Sequence, residues 1–321
     1  MPELPDVEVY VELLRERVQD QVLERIRLKS TFLVRTFDPP ISAAQGQRVV
    51  AVRRLGKRVV LALEDELFLV FHLMIAGRFR WEKRGASPAG KIGLAAFDFP
   101  NGTLLLTEAS QKKRASLHLV RGEAALGEHH AGGIEPLECS EAEFREALTR
   151  ESHTLKRTLT DPRLLSGIGN AYSDEILHVA RLSPLKQTGK LTDEEIARLY
   201  RATRETLATW VERLRAEFAG RFPGPGEITA FRPGFAVHGR YREPCPDCGK
   251  PVQRIRYAEN ETNYCAACQN EGRLLADRAL SRLLHDDWPR SIDFDDGTAP
   301  LAPSGKARRG PAPRLASLGR A

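Results

Sequence analysis

The first residues of the chain, Met1-Pro2-Glu3-Leu4-Pro5-Asp6-Val7, bring together groups capable of covalent chemistry. Removal of Met1 would leave Pro2 as a free secondary amine. An α-amino group titrates at about 7.7–8, so a useful fraction is neutral and nucleophilic at cellular pH. Such an amine can attack a sugar aldehyde carbon and form an iminium, the covalent logic that serves catalytic lysines. Glu3, one peptide away, could move the protons that this chemistry requires. The competing reading of the same residues is a stiff entry to a helix.

A second chemistry lies near the other end. Cys245-Pro246-Asp247-Cys248 and Cys265-Ala266-Ala267-Cys268 form a C-x2-C-x16-C-x2-C pattern. Two tight turns each present two thiolates, the spacer is long enough for one hairpin, and four sulfurs close a tetrahedron around zinc with no open position for water. Such a site is structural, folding a module too small to fold alone. Gly249 supplies the turn freedom a knuckle needs. A redox pair is the alternative reading of two C-x2-C motifs. Arg254, Arg256 and Arg273 sit within or beside the hairpin, which suits insertion into a nucleic-acid groove. Cys139 stands apart as an ordinary buried or loop thiol.

Two further stretches could hold phosphate. In Leu165-Ser166-Gly167-Ile168-Gly169-Asn170-Ala171-Tyr172 the glycines permit a tight turn with exposed N–H groups, and the next helix presents its positive end there. Asn170 adds a side-chain donor and Lys156, on the preceding helix, adds charge. A glycine-capped helix connection is the plainer reading. Arg53-Arg54-Leu55-Gly56-Lys57-Arg58 is a basic cluster, readable also as solvated charge in a strand and turn.

These groups need positioning elements. After Asp6, apolar residues recur on one helical face to about Gln19. Strand signals follow at Ile26–Leu28, Val49–Val52, Val59–Leu63, Leu67–Phe71, Gly77–Trp81, Leu94–Phe99, Thr103–Thr107 and Leu117–Arg121, with Asn101-Gly102 as a hairpin turn. Short strands at turn-punctuated spacing predict a β-sandwich or barrel. Ser140/Glu143 and Thr192/Glu195 are capping boxes, the second opening a helix to about Ala219; further helices are expected at Leu155–Thr160 and Tyr172–Ala180. The fold class is therefore α+β and multidomain. The expected units are a sandwich with its N-terminal helix over 1–122, a linker over 123–139, a helical domain over 140–235, a cysteine module over 236–285 and a disordered basic tail over 286–321.

Composition limits the functions. Lys and Arg number 49 against 43 Asp and Glu among 321 residues, a net +6, with a pI near 9.1, which fits a polyanionic partner and equally a generally charged surface. No run approaches the ~18 apolar residues of a membrane span. The N-terminus carries no basic-then-apolar secretory signal. Five cysteines in such a chain suggest reduced thiols or a metal in a cytoplasmic setting.

Taken together, the chain resembles the formamidopyrimidine-DNA glycosylase and endonuclease VIII family. The resemblance rests on Pro2-Glu3-Leu4-Pro5-Asp6-Val7-Glu8, Gly56-Lys57-Arg58, His72-Leu73 with Gly77, Gly167 through Glu175, and the cysteine quartet ending in Gln269, in family order over residues 1 to about 284. It implies an N-terminal β-sandwich, a helix-two-turn-helix domain and a C-terminal zinc finger holding one Zn2+, with damaged double-stranded DNA in the cleft. It implies a monomer that flips the damaged nucleotide. The Pro2 nitrogen would attack C1′, the base would leave, Glu3 would protonate the opening sugar, and Lys57 would assist β-elimination or hold a phosphate. Lys156 and Asn170 would bind the DNA backbone, His72 would contact the DNA, and Ile75 or Met74 would wedge into the gap left by the flipped base. A bacterial protein of this kind would be associated with the nucleoid.

Four positions depart from the family. Asp6 stands where glutamate is usual, and Ile75 where many members carry methionine. Lys112-Lys113-Arg114-Ala115 replaces a loop that carries an aromatic wedge, so opposite-base reading and the preferred lesion, oxidised pyrimidine or ring-opened purine, stay open. Asn260 replaces an arginine that helps the second elimination, which predicts strong β-elimination and weak or altered δ-elimination unless Arg254 or Arg256 substitutes. The other readings are a non-catalytic DNA-binding protein on this scaffold and a transcription factor built on the zinc module.

Overall fold

A computed structural model describes residues 1–88, 90–257 and 260–275. The expected basic tail over 286–321 and the last residues of the cysteine module lie outside the described residues.

Helix α1 (Leu4–Val18) starts where Asp6 Oδ2 accepts the Glu3 N–H at 2.8 Å. Eight strands follow: β1 (Arg25–Leu28), β2 (Val49–Leu55), β3 (Arg58–Leu63), β4 (Leu67–His72), β5 (Gly77–Glu82), β6 (Gly93–Phe99), β7 (Gly102–Glu108) and β8 (Ser116–Arg121). They form two antiparallel sheets, β1-β6-β7-β5 and β2-β3-β4-β8, the sandwich expected from the sequence. The β6–β7 hairpin turns at Pro100-Asn101 rather than Asn101-Gly102. Gly102 is already strand, paired with Phe99, and a Cβ on it would lie 2.4 Å from the Trp81 ring.

Strands β3 and β4 are buried on both faces, which is why their sequences run apolar without alternation. Leu61, Leu69 and Phe71 face the sandwich core, while Val60, Phe68 and Val70 form an outer cluster with Leu126. Leu126 belongs to α2 (Glu123–Gly127), a short helix inside the stretch expected to be only a linker. It forms because that outer face needs a cover.

Beyond it come α3 (Glu141–Thr149), α4 (Leu155–Thr160), α5 (Asn170–Val179) and α6 (Asp193–Phe218). Both expected capping boxes are made: Ser140 Oγ accepts from Glu143 N–H at 3.3 Å and Thr192 Oγ1 from Glu195 N–H at 3.2 Å. The helices enclose a second core, yet the end of α6 sends Leu214 and Phe218 into the sandwich core. Helix α1 is divided in the same way: Leu4 packs with the helices and Val7 with the strands. The Pro2-Glu3 segment therefore sits at the seam. The cysteine module carries a hairpin of β9 (Gln253–Tyr257) and β10 (Asn260–Tyr264) and a last turn, α7 (Ala266–Gln269).

Candidate active site

Pro2 and Glu3 are buried. Their place is set by the turn before α5, 166 residues further along. Leu4 N–H donates to the Gly167 carbonyl at 2.9 Å. The Glu3 carboxylate then accepts from Gly169 N–H at 2.6 Å, Ala171 N–H at 2.9 Å and Tyr172 N–H at 3.3 Å. These are orphan donors at the positive end of α5, so a helix N-terminus holds an anion supplied by another helix. The two glycines serve different ends. Gly167 has φ +80°, and a Cβ on Gly169 would lie 2.5 Å from the Glu3 carboxyl carbon. The stretch read from sequence as a phosphate turn is thus filled by Glu3, and three of its N–H groups are unavailable to DNA.

Lys57 comes from the opposite side. Gly56 and Lys57 form the two-residue loop between β2 and β3, with φ +60° at Gly56 alone, the signature of a turn whose first central residue must be glycine. Buried polar links hold this loop to its neighbours. Arg54 bridges Glu8 of α1 at 2.6 Å and Glu135 at 2.5 Å, and Ser166 Oγ donates to Glu135 at 2.6 Å. Lys57 and Met1 line two adjoining cavities of about 310 and 570 Å3, the second reaching Lys156, Gly169 and Asn170. Burial lowers the Lys57 ammonium below its ordinary value, with Glu3 opposing and Lys156 adding to the shift. Burial likewise lowers the terminal amine of Met1, against Glu3. Both nitrogens lose their protons more readily than in water.

Behind Glu3, Asp6 meets Arg232 at 2.5 Å, both buried, tying α1 to the segment after α6. Lys156 Nζ donates to the Asn170 carbonyl at 2.6 Å and to Asp174 Oδ1 at 2.5 Å. The other Asp174 oxygen meets His238 Nδ1 at 2.8 Å and accepts from Asn263 N–H at 3.0 Å. Glu175 accepts from the N–H groups of Ala236, Val237 and His238. Asn170 Nδ2 donates to the Glu261 carbonyl at 2.8 Å. One short helix, α5, therefore holds the N-terminus at its first residues and the cysteine module along its side.

The four cysteine sulfurs converge within 4.8 Å of one another. Cys248 and Cys265 are 3.4 Å apart, Cys245 and Cys268 3.9 Å. Sulfurs ~2.3 Å from one zinc at tetrahedral corners would be about 3.8 Å apart, so the cluster fits a zinc finger. Burial pushes the Cys265 thiol up to about 12, so thiolates need a cation among them. His178, at the far end of α5, places Nε2 3.2 Å from Cys245 Sγ.

Comparison with known proteins gives a single answer. Residues 1–114 match the formamidopyrimidine-DNA glycosylase N-terminal domain and residues 133–218 the formamidopyrimidine-DNA glycosylase H2TH domain. The formamidopyrimidine-DNA glycosylase of Thermus thermophilus is 36% identical over 280 residues, covering 85% of this chain and all (100%) of the relative. That of Heliobacterium modesticaldum is 33% identical over 278 residues, covering 84% and 100%. The chain belongs to this family, DNA glycosylases of base-excision repair. The solved Thermus thermophilus structure superposes with a TM-score of 0.70 at 34% identity, covering 84% of this chain and 100% of that one. The Lactococcus lactis protein, solved in complex with DNA containing Fapy-dG, gives 0.73 at 27% identity, with coverage of 84% and 100%.

The remaining positions fall into two groups within this glycosylase fold. His72, at the end of β4, lines the smaller cavity, and burial beside Arg58 and Lys57 pushes its imidazole down to about 4. Ile75 is 51% exposed and shares a hollow with Lys112 and Arg114. Met74 has φ +53° and lies in the smaller cavity instead. Arg254 and Arg256 are not brought to the cavities. They alternate with buried Ile255, whose partner Thr262 lines the larger cavity, and lie near Glu261 at 3.7 and 3.9 Å. Asp174, Glu175, Arg232 and His178 escaped the sequence reading. Asp174 and Glu175 stood in the matched motif as acidic residues on a helix, and nothing local marks a carboxylate as buried.

Proposed function

We propose that the chain is a bifunctional glycosylase and apurinic-site lyase that works through the Pro2 nitrogen. Damaged double-stranded DNA lies across the seam, with the damaged nucleotide flipped toward the cavities beside Met1 and Lys57. After Met1 is removed, the Pro2 nitrogen attacks C1′ and the base leaves with its bonding electron pair and a proton. Glu3 passes a proton to the ring oxygen as the sugar opens, leaving an iminium between Pro2 and C1′. Loss of a C2′ proton then expels the 3′ phosphate, and Lys57 holds the charge that develops there. Lys156, Asn170 and His72 line the cavities and steady the backbone, and Ile75 takes the wedge position.

The observation that carries this reading is the clamp on Glu3. Three backbone donors fix the residue beside Pro2 to the scaffold, which a loose helix entry would not need. Burial lowers the Met1 amine and the Lys57 ammonium here, and the same burial would favour a neutral Pro2 nitrogen once Met1 is gone. The cysteine quartet would hold one structural Zn2+, which supplies only cross-linking charge and geometry. The described residues contain no helix long and apolar enough to cross a membrane. We place the protein in the cytoplasm as a monomer, at the nucleoid if its host is bacterial.

Borohydride trapping on a duplex with an abasic site tests the reading. A covalent complex should form, and should vanish in Pro2→Gly and when the N-terminus is blocked. Protein that binds the duplex yet gives no adduct would leave a DNA-binding scaffold without the chemistry.

A further inference from the structure

The smaller cavity, about 310 Å3, is lined by Lys57, Arg58, His72, His129 and His130 together with Met1 and neutral residues, and among the described residues no carboxylate lines it. Arg58 and His72 are direct cross-strand partners on β3 and β4. His129 arrives from elsewhere, the segment after α2 that joins the two halves of the molecule, and its ring lies 4.6 Å from that of His118 on β8. Arg58 is half-buried. Burial alone acts on its guanidinium, which is lowered, and no acidic group offsets it. Two other sheltered arginines have carboxylates beside them: Arg54 has Glu8 and Glu135, and Arg232 has Asp6. A sheltered cation without a counter-charge is costly, and the cost is removed by an anion that enters from outside.

We propose that Arg58, His72 and His129 form a phosphodiester subsite that seats the DNA backbone beside the N-terminus. The inference rests on the DNA-binding reading above and adds two residues to it, one on the sandwich and one on the connecting segment. A phosphate between them touches the sandwich and the segment that joins it to the helices, so strand entry steadies that junction.

The subsite also makes binding sensitive to pH. His72 faces Arg58, Lys57 and His118; His118 faces His129, Arg58 and Arg35; His129 faces Arg58 and, with opposite sign, Glu128. Without DNA burial favours the neutral form of all three rings, with His72 and His118 each pushed down to about 4 and His129 lowered. A phosphate favours the protonated ring and raises its pKa. The complex then binds more protons than the free protein, so affinity rises as pH falls between the free and bound values.

The test is equilibrium binding of full-length, zinc-loaded protein to a duplex carrying a tetrahydrofuran abasic analogue, over a range of salt at pH 7.5 and pH 6. Wild type should bind more tightly at pH 6. Arg58→Gln should weaken binding about tenfold, with a log K against log salt slope shallower by about one. His129→Asn should flatten the pH response. Both variants matching wild type in slope and pH response would overturn the proposal. Histidine ring NMR on wild type needs no variant: His72 and His129 should titrate at higher pH with the duplex bound. Shifts with inorganic phosphate and none with the duplex would give the pocket to free phosphate and overturn it as a DNA subsite. Borohydride trapping separates the two readings. Trapping with unaltered slopes in the variants sinks the subsite alone, and normal binding without trapping sinks the lyase chemistry alone.

Discussion

The Glu3 carboxylate lies where a Gly169 side chain would be: its oxygen accepts the Gly169 N–H at 2.6 Å, and a Cβ there would stand 2.5 Å from its carboxyl carbon. Gly169 has φ −128°, a value open to any residue, so space rather than backbone freedom demands glycine. Gly169→Ala should push Glu3 and Pro2 out of register by a fraction of an ångström or more. Displacements of this order cost about a hundredfold in rate. Single-turnover trapping on abasic DNA should fall by that order, while circular dichroism stays that of the wild type.

Asp6 and Arg232 offer a test of how the N-terminus is anchored. Removing one partner of a buried pair strands the other charge, at a cost of about 3–5 kcal/mol. Asp6→Ala and Arg232→Met should each lower the urea midpoint strongly, and the double variant should recover most of the loss. Additive losses in the double variant would show that the pair does not act as a unit.

Zinc removal should act over a distance. Chelation or Cys248→Ser should unfold the β9–β10 hairpin, because four thiols packed this closely lack a cation. The hairpin holds Asn170 and Asp174 through Glu261 and Asn263, so amide exchange should rise along α5 as well. Exchange confined to residues 245–268 would contradict this coupling.

The 3′ ends of nicked DNA report on Asn260. Arg254 and Arg256 lie on the face of the hairpin opposite Thr262, and we expect neither to replace the family's arginine at position 260. Gel analysis should show mainly the β-elimination product, and Asn260→Arg should raise the share of 3′-phosphate. A wild-type product that is mostly 3′-phosphate would contradict this.

The architecture was largely legible in the sequence because its signals are local. Every expected strand formed, and both capping boxes closed with the residues that announced them. What stayed hidden depends on contacts across the chain. The turn at Gly167–Tyr172 has every mark of an anion site, and it is one; that its anion is Glu3 follows only from the way α1 docks. Arg254 and Arg256 read as groove-entering residues from their place on the hairpin; that they lie on the face opposite Ile255 and Thr262 follows only from the strand register. The helix inside the linker went unread because five residues, Glu123–Gly127, carry too little periodicity, and it forms to cover Val60 and Val70.

The seam position of α1 has a consequence in time. Glu3 leaves the ribosome 166 residues before Gly169, the partner that clamps it. At about 5–20 residues per second, the terminus waits roughly ten to thirty seconds with Leu4 lacking its helical neighbours. Excision of Met1 has its opening in that interval, while an aminopeptidase can still reach the nascent chain. Once α5 is made and the halves close, Met1 is half-buried beside Lys57 and Thr160, lining both cavities, and is less accessible than on the nascent chain. If the Pro2 nitrogen is the nucleophile proposed above, it is exposed most readily during translation, and overproduction that outruns the peptidase would yield well-folded molecules slow to gain it.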